Sequence, residues 1–355
     1  MFYEKTYALM KEKGLDAIVV SDGANMRYLS GFRGATGYLY ISEKRRVLMT
    51  DARYTTAARE EAPDFEVQDP GNARNYGELL NGLMEEDQAK NVGFEEKYML
   101  YGTYQKLSKA CNGRLNTELG DSLDRLRSIK TEQEIAYMEK AEAIGDQAFS
   151  HILTVLKPGM TELEVAAELE YFMKMHGAEK LSFETIVASG PNSALPHAMP
   201  STRKIEKGDF VTMDFGCVYN GYCSDMTRTV VMGKASDKQK EIYGIVLEAQ
   251  QEGLDCATAD LRGCDVDRYA REVIARAGYW KYFGHGLGHS VGLYIHEDPR
   301  LSPTCEETLR PYMVETVEPG IYLPGFGGVR IEDMVMITEG YCVNLTHSPK
   351  ELIEL

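Results

Sequence analysis

The chain has 355 residues, 43% hydrophobic and 26% charged, which excludes a disordered or fibrous polypeptide and exceeds what one core usually organises, so two domains are expected. A formal net charge of −16 opposes a phosphate backbone, so no nucleic-acid partner is expected. No apolar leader core and no run of about 18 apolar residues is visible, and the seven cysteines are scattered without a C-x-x-C pair, so no membrane association and a cytoplasmic location are expected.

In chain order, the spacing predicts a helix up to Lys13, a strand over Asp16 to Ser21, and two strands in GYLYISEKRRVLMTDARY around a charged turn. The first third therefore reads as an α/β domain, with its boundary placed at Asp121: domain one over 1–121 and domain two over 122–355. A charged amphipathic stretch from Asp121 to Leu156 carries Ile129, Ile135, Met138, Ala141 and Ile144 at helical spacing, and Thr131 with Glu134 forms a capping-box pattern.

From Lys157 the chain repeats an order of elements. LKPGMTELEVAAELEYFMKMHG gives a turn and helix, strands follow around His197, and KGDFVTMDFG closes the copy. LRGCDVDRYAREVIARAG repeats the turn and helix, strands follow around His289 and His296, and LRPYMVETVEPG closes the second copy. Such a duplication predicts pseudo-twofold halves whose acid-bearing strands face each other.

In FVTMDFGCVYNGYCSDMTRTVV, Asn220-Gly221 is a strong two-residue hairpin signal. A hairpin turning there sets Asp214 opposite Thr227 and Asp225 opposite Gly216, so the two aspartates share a face as diagonal neighbours, roughly 7–8 Å apart at the backbone. In TVEPGIYLPGFGGVRIEDMVMI, a hairpin centred on Gly325 sets Glu318 opposite Glu332. Acids gathered into one cavity repel: one carboxylate pair at 4 Å costs about 4 kcal/mol at an effective dielectric of 20. Protons or metal cations must therefore occupy the site, and oxygen-rich ligands with an imidazole suit manganese, cobalt, iron or zinc. The imidazole source is FGHGLGHSVGLYIHE, whose glycines argue against a helix and place His285, His289 and His296 on strand and tight loop.

Asp214, Asp225, His289, Glu318 and Glu332, in that order, resemble the ligand set of the pita-bread metallopeptidases, the fold of methionine aminopeptidase, aminopeptidase P and prolidase. SFETIVASGPNSALPHAMPSTRKIEKGD, MDFGCVYNGYCSDMTRT, GHGLGHSVGLYIHEDPR and TVEPGIYLPGFGGVRIED are similar to the Xaa-Pro peptidase branch, and LSGFRGATGYLYI with TDARYT resembles its amino-terminal domain. The resemblance implies an α+β chain with a duplicated carboxy-terminal catalytic domain, two divalent ions with manganese first (cobalt, zinc or iron otherwise), and a homodimer. It also implies that Asp225 and Glu332 bridge the ions, Asp214 completes one, and His289 with Glu318 complete the other, Glu318 acting as general base. His197, His285 and His296 match histidines that line the substrate site, and Arg330 matches an arginine that orients a ligand carboxylate. Tyr312 stands where the family more often has Gly, and Glu315 where a neutral residue is frequent.

The implied reaction is metal-assisted hydrolysis between an amino-terminal residue and proline in the second position of a peptide. Glu318 takes a proton from water, His197 or Glu318 delivers one to the proline nitrogen, and His285 with Tyr322 forms the wall that accepts the ring. Arg300, in HEDPRLS, is a candidate clamp for a dipeptide's free carboxylate, which favours a dipeptidase over an aminopeptidase P acting on longer peptides. A non-enzymatic binding protein of the same fold, a two-metal phosphoesterase and a metal-free creatinase-like hydrolase are weaker alternatives. The complete ligand set disfavours the first and third, and the lack of a phosphate-cradling loop disfavours the second.

Overall fold

The computed structural model describes residues 2–34, 36–71 and 75–355, leaving Ala35 of the LSGFRGATGYLYI stretch outside the described residues. Two compact units divide between Arg127 and Ser128. The first unit alternates α1 (Phe2–Glu12), β1 (Ala17–Val20), α2 (Gly23–Ser30), β2 (Tyr38–Ser42), β3 (Arg46–Met49), α3 (Thr55–Glu61) and β4 (Glu66–Gln68). It continues through α4 (Tyr76–Asp87), β5 (Val92–Phe94), α5 (Tyr101–Ala110), β6 (Leu115–Glu118) and α6 (Ser122–Ser128). Its described strands form one sheet in the order β4-β3-β2-β1-β5-β6, with β1, β5 and β6 parallel and the β2–β3 hairpin antiparallel. The apolar runs predicted at both places became β1 and that hairpin because both faces are buried: Ala17 to Val20 are wholly inaccessible, as are Leu39 to Ile41.

The second unit opens with α7 (Glu132–Val155) and α8 (Glu162–Met175). The amphipathic stretch expected from Asp121 to Leu156 divides into α6 and α7 at Ile129 to Thr131. Thr131 adopts extended backbone as an N-cap, and its hydroxyl and Glu134 make the expected capping box. A residue committed to capping the next helix cannot continue the previous one.

β7 (Lys180–Leu181), β8 (Ile186–Ser189), β9 (Phe210–Phe215), β10 (Cys217–Tyr219), β11 (Tyr222–Cys223) and β12 (Met226–Val231) complete the first half. The second half runs α9 (Asp237–Cys256), α10 (Gly263–Arg276), β13 (Gly288–Ser290), β14 (Glu297–Leu301) and β15 (Val314–Val317). It then continues through β16 (Gly320–Leu323), β17 (Gly327–Arg330), β18 (Asp333–Ile337) and β19 (Cys342–Asn344). The duplication is visible in matching details. Just before α8, Thr161 bridges antiparallel to Lys204, and just before α10, Arg262 bridges antiparallel to Thr308. Ile205 and Leu309 then each close their own turn with paired backbone bonds, to Gly159 and Met160 and to Asp260 and Leu261. The two apolar clusters are likewise built by α9 and α10 over the second half's strands and by α7 and α8 over the first half's.

Candidate metal centre

Two hairpins place the acids. β9 and β12 pair Asp214 with Thr227, and beyond them β10 and β11 pair Tyr219 with Tyr222, the register set by the Asn220-Gly221 turn. Both turn residues have positive φ, 45° and 85°, as a tight primed turn requires. Between these segments Gly216 lies against Ser224, whose carbonyl oxygen would be 1.9 Å from any Cβ at that position, so the chain passes from one sheet to the next with Asp225 at the crossing. In the second hairpin, β16–β17 pairs Gly320 with Arg330 and β15–β18 pairs Val317 with Asp333. One register therefore spans both ladders, and Glu318 faces Glu332 across the gap between them.

The alternation of a strand then decides what joins the acids. Arg330 stands two residues before Glu332, and Tyr322 stands four after Glu318, so all four share a face. Glycine at 320 leaves room for the Tyr322 ring, whose hydroxyl oxygen would be 2.5 Å from a Cβ there.

A cavity of about 350 Å³ collects all the residues singled out in the sequence: His197, His285, His289, His296, Arg300 and Tyr322 line it together with Asp214, Asp225, Glu318, Arg330 and Glu332. Asp225, His289 and Glu332 are buried and offer ligand atoms all within 4.8 Å of one another. His289 Nε2 lies 3.5 Å from Asp225 Oδ2 and 3.5 Å from Glu318 Oε1. Its Nδ1 meets the Ser290 carbonyl at 3.1 Å, so the proton belongs on Nδ1 and the Nε2 lone pair faces the two acids.

Threonines steady the acids. Thr227 Oγ1 donates to Glu332 Oε2 at 2.6 Å and Thr316 Oγ1 donates to Glu318 Oε1 at 3.2 Å. Arg330 is the hub of the opposite wall. Its Nη2 donates to Asp214 Oδ2 at 2.6 Å, its Nε to Thr227 Oγ1 at 3.0 Å, and its Nη1 to the Tyr322 hydroxyl at 2.9 Å. Since a guanidinium can only donate, the tyrosyl hydrogen turns to His285 Nε2, 2.9 Å away, while His285 Nδ1 donates to the Gly286 carbonyl at 2.8 Å. His296 packs edge-on against His289 with ring centroids 4.5 Å apart, and His197 sits on the exposed loop that follows a short 3₁₀ turn at Gly190–Ala194.

The electrostatics are those of a site short of positive charge. Burial, then the neighbouring Glu332, holds the Asp225 carboxyl well above the usual carboxylate range, and burial, then Glu318, does the same to Glu332. Burial pushes Glu318 up to about 8 against the opposing pull of Arg330. Burial pushes the imidazoles the other way, His289 to about 3 and His285 to about 4, so both are neutral and free to act as ligand or acceptor.

Two observations show that divalent ions fit these residues. Asp214 Oδ1 is buried and has no hydrogen-bond partner. The lone pair of His289 points at carboxylate oxygens, an arrangement that a cation between them turns from repulsive to attractive. Four carboxylates and one neutral imidazole form an oxygen-rich donor set of the kind first-row divalent ions take.

Some contributors were not anticipated from the sequence. Thr227 and Thr316 could have been found, because each lies two residues from an acid on the same strand face. Glu142 could not: it sits fully buried on α7 and accepts from the Asp225 backbone N–H at 3.3 Å, a contact spanning 83 residues. The cavity's apolar lining by Phe183, Ile186 and Ile295 was equally hidden.

Comparison with known proteins gives the family. Residues 136–339 match metallopeptidase family M24, and residues 3–129 match the creatinase/prolidase N-terminal domain. An uncharacterized peptidase of Bacillus subtilis, YqhT, is 44% identical over 358 aligned positions covering 100% of both chains. The structure of an Xaa-Pro dipeptidase from Bacillus anthracis superposes with a TM-score of 0.95 at 42% identity, covering 100% of both chains. That of an X-Pro aminopeptidase from Thermotoga maritima gives 0.92 at 39% identity over 98% of this chain and 100% of its own. Among the described residues, no helix is long and apolar enough to cross a membrane.

Proposed function

The chain belongs to metallopeptidase family M24, and from that premise we propose that it hydrolyses the bond between an amino-terminal residue and proline, as an Xaa-Pro dipeptidase. The observation that carries this reading is the convergence of Asp214, Asp225, His289, Glu318 and Glu332 on one cavity, with a buried carboxylate oxygen left without a hydrogen-bond partner and the His289 Nε2 facing two of the acids. Those five residues would hold two divalent ions, manganese foremost. When bound, the ions would polarise the scissile carbonyl and make water a stronger acid.

The protein's own groups do the rest. Glu318, partly open to the cavity and steadied by Thr316, takes the proton from the attacking water. The leaving proline nitrogen needs a proton before the amide can break, and His197 on its loop or Glu318 itself delivers it. His296 beside His289 lines the path of the tetrahedral carbon's oxygen. His285 and Tyr322, locked to each other and to Arg330, form a rigid wall for a proline ring, which brings no backbone N–H that needs an acceptor.

A second reading, an aminopeptidase P acting on longer peptides, draws support from the likeness to the Thermotoga maritima enzyme. The deciding experiment runs Ala-Pro, Ala-Pro-Ala and Ala-Ala through the metal-stripped protein with manganese, cobalt, zinc and iron each added back. Metal-dependent cleavage of Ala-Pro in preference to both others, lost in Glu318→Ala, is the expected outcome. A Glu318→Ala protein cleaving Ala-Pro at the wild-type rate would sink the assignment.

A further inference from the structure

The last residues of the chain, 345–355, lie beyond the segment that matches the peptidase family, and no catalytic residue comes from them. They nonetheless form backbone hydrogen bonds with Met334 of β18 and Val231 of β12, and they are tied down by buried polar groups rather than by apolar packing alone. Thr346 Oγ1 donates to Glu142 Oε1 at 2.6 Å and accepts from the Met334 backbone N–H at 2.9 Å. The other oxygen of Glu142 accepts from the backbone N–H of Asp225. One chain of hydrogen bonds thus runs from Thr346 through α7 to the backbone of Asp225.

A second chain starts two residues on. Arg228, one of the largest side chains in the protein and only 1% exposed, donates to the Ser348 carbonyl at 2.8 Å and the Pro349 carbonyl at 3.1 Å. The same guanidinium donates to the Glu332 carbonyl and, at 3.0 Å, to that of Thr227, whose hydroxyl holds the Glu332 carboxylate. Its remaining bond goes to Asp333 Oδ1 at 2.7 Å, while Lys350 Nζ reaches Asp333 Oδ2 at 2.7 Å. Removing such groups from water is costly unless each finds its partner, so a buried network of this kind fixes one geometry.

We infer that the carboxy-terminal strap is a positioning element for the metal centre, with Thr346 setting Asp225 and Lys350 setting Glu332 through Asp333 and Arg228. The inference rests on the proposed metal site: the two residues reached, Asp225 and Glu332, are among the five that would hold the ions, so a small rotation of either strand end moves a ligand carboxylate. Groups that orient ligands in this way typically change metal affinity 10–100-fold when removed.

The test measures equilibrium binding of Mn²⁺ to the metal-free full-length protein by calorimetry, with the apo-protein's thermal midpoint recorded for every variant. Thr346→Val is expected to raise the Mn²⁺ dissociation constant about tenfold, and Thr346→Ser, which keeps the hydroxyl, to restore it. Lys350→Met, which leaves Asp333 paired with Arg228, Gln250 and Asn344, is expected to weaken binding in the same direction. Glu354→Ala is the control: its Oε1 also holds the strap, accepting from the Ala235 backbone N–H at 3.0 Å, but leads to the turn before α9 and to no acid of the site. It should lower the thermal midpoint and leave the dissociation constant unchanged. Wild-type affinity in both Thr346→Val and Lys350→Met overturns the inference, as does an equal loss in Glu354→Ala, which would mark general loosening. Absence of saturable Mn²⁺ binding in the wild-type protein would instead overturn the metal reading, and this inference with it.

Discussion

Arg330 Nη2 lies 2.6 Å from Asp214 Oδ2, while Oδ1 of the same carboxylate is buried without a partner. One oxygen is thus fixed by a cation of the protein and the other is left for a ligand, which makes the guanidinium the part that aims Asp214. Replacing it with a neutral group strands a buried carboxylate. Arg330→Gln is expected to cost about 3–5 kcal/mol of stability in the metal-free protein. It should also weaken Mn²⁺ binding about 10–100-fold, measured by titration calorimetry. An unchanged isotherm would show that Asp214 needs no such support.

The pH dependence of the metal-free protein follows from the same crowding. Burial with neighbouring acids raises Asp225 and Glu332, and burial raises Glu318 to about 8 from an ordinary value of 4.5. A raised carboxyl favours the folded state only while it is protonated. Its contribution is complete below the unfolded value and is lost as pH climbs through the folded one. With chelator present, stability should therefore fall between about pH 5 and 8, and ion binding near pH 7 should release protons. Calorimetry in buffers of different ionisation enthalpy counts them, and a count of zero would contradict the arrangement.

What the sequence made legible was local geometry. Asn220-Gly221 fixed one register and the turn around Gly325 the other, and each placed its acids correctly because a strand's period of two leaves no freedom once the turn is set. The break between α6 and α7 was legible only in the Thr131–Glu134 capping-box pattern, because Ile129 continues the apolar spacing and capping competes with continuation. Glu142, Arg228 and the strap were invisible for a different reason. Their partners lie 83 to 204 residues away, and nothing in a buried Glu on an amphipathic helix says which strand it will meet.

Glu315 shows how a departure from family habit was legible while its consequence was not. It is wholly buried on β15, its Oε1 accepts the Ser290 hydroxyl at 2.6 Å, and its Oε2 has no partner. Burial pushes it up to about 8, so its contribution too is complete below about 4.5 and is lost as pH rises toward 8. Glu315→Gln keeps the shape and removes the ionisable proton. Its thermal midpoint should gain on the wild type as pH rises from 5.5 to 8.5, by about 2–4 °C for each kcal/mol involved. Parallel curves for the two proteins would show that Glu315 does not ionise in this range.

Arg300 bears on how long a peptide the cavity takes. It pairs with His289 across β13 and β14, so its side chain enters the cavity from the strand beside the one that carries the His289 imidazole. Its nearest acid, Asp298, is 3.5 Å away and 78% exposed, a contact of the kind that contributes little. The guanidinium fork therefore remains available to a carboxylate. A dipeptide presents its terminal carboxylate one residue beyond the scissile bond, whereas a longer peptide presents an uncharged amide at the same place. Loss of a charge-assisted bond of about 1.5–3 kcal/mol corresponds to roughly 10–100-fold in affinity. Arg300→Ala should thus raise KM for Ala-Pro by about that factor with kcat little changed, leave Ala-Pro-Ala nearly untouched, and recover in part as Arg300→Lys. Equal losses on both peptides would mean that Arg300 supports the strand rather than the substrate, and the preference for a dipeptide would then have to come from the closeness of the cavity walls.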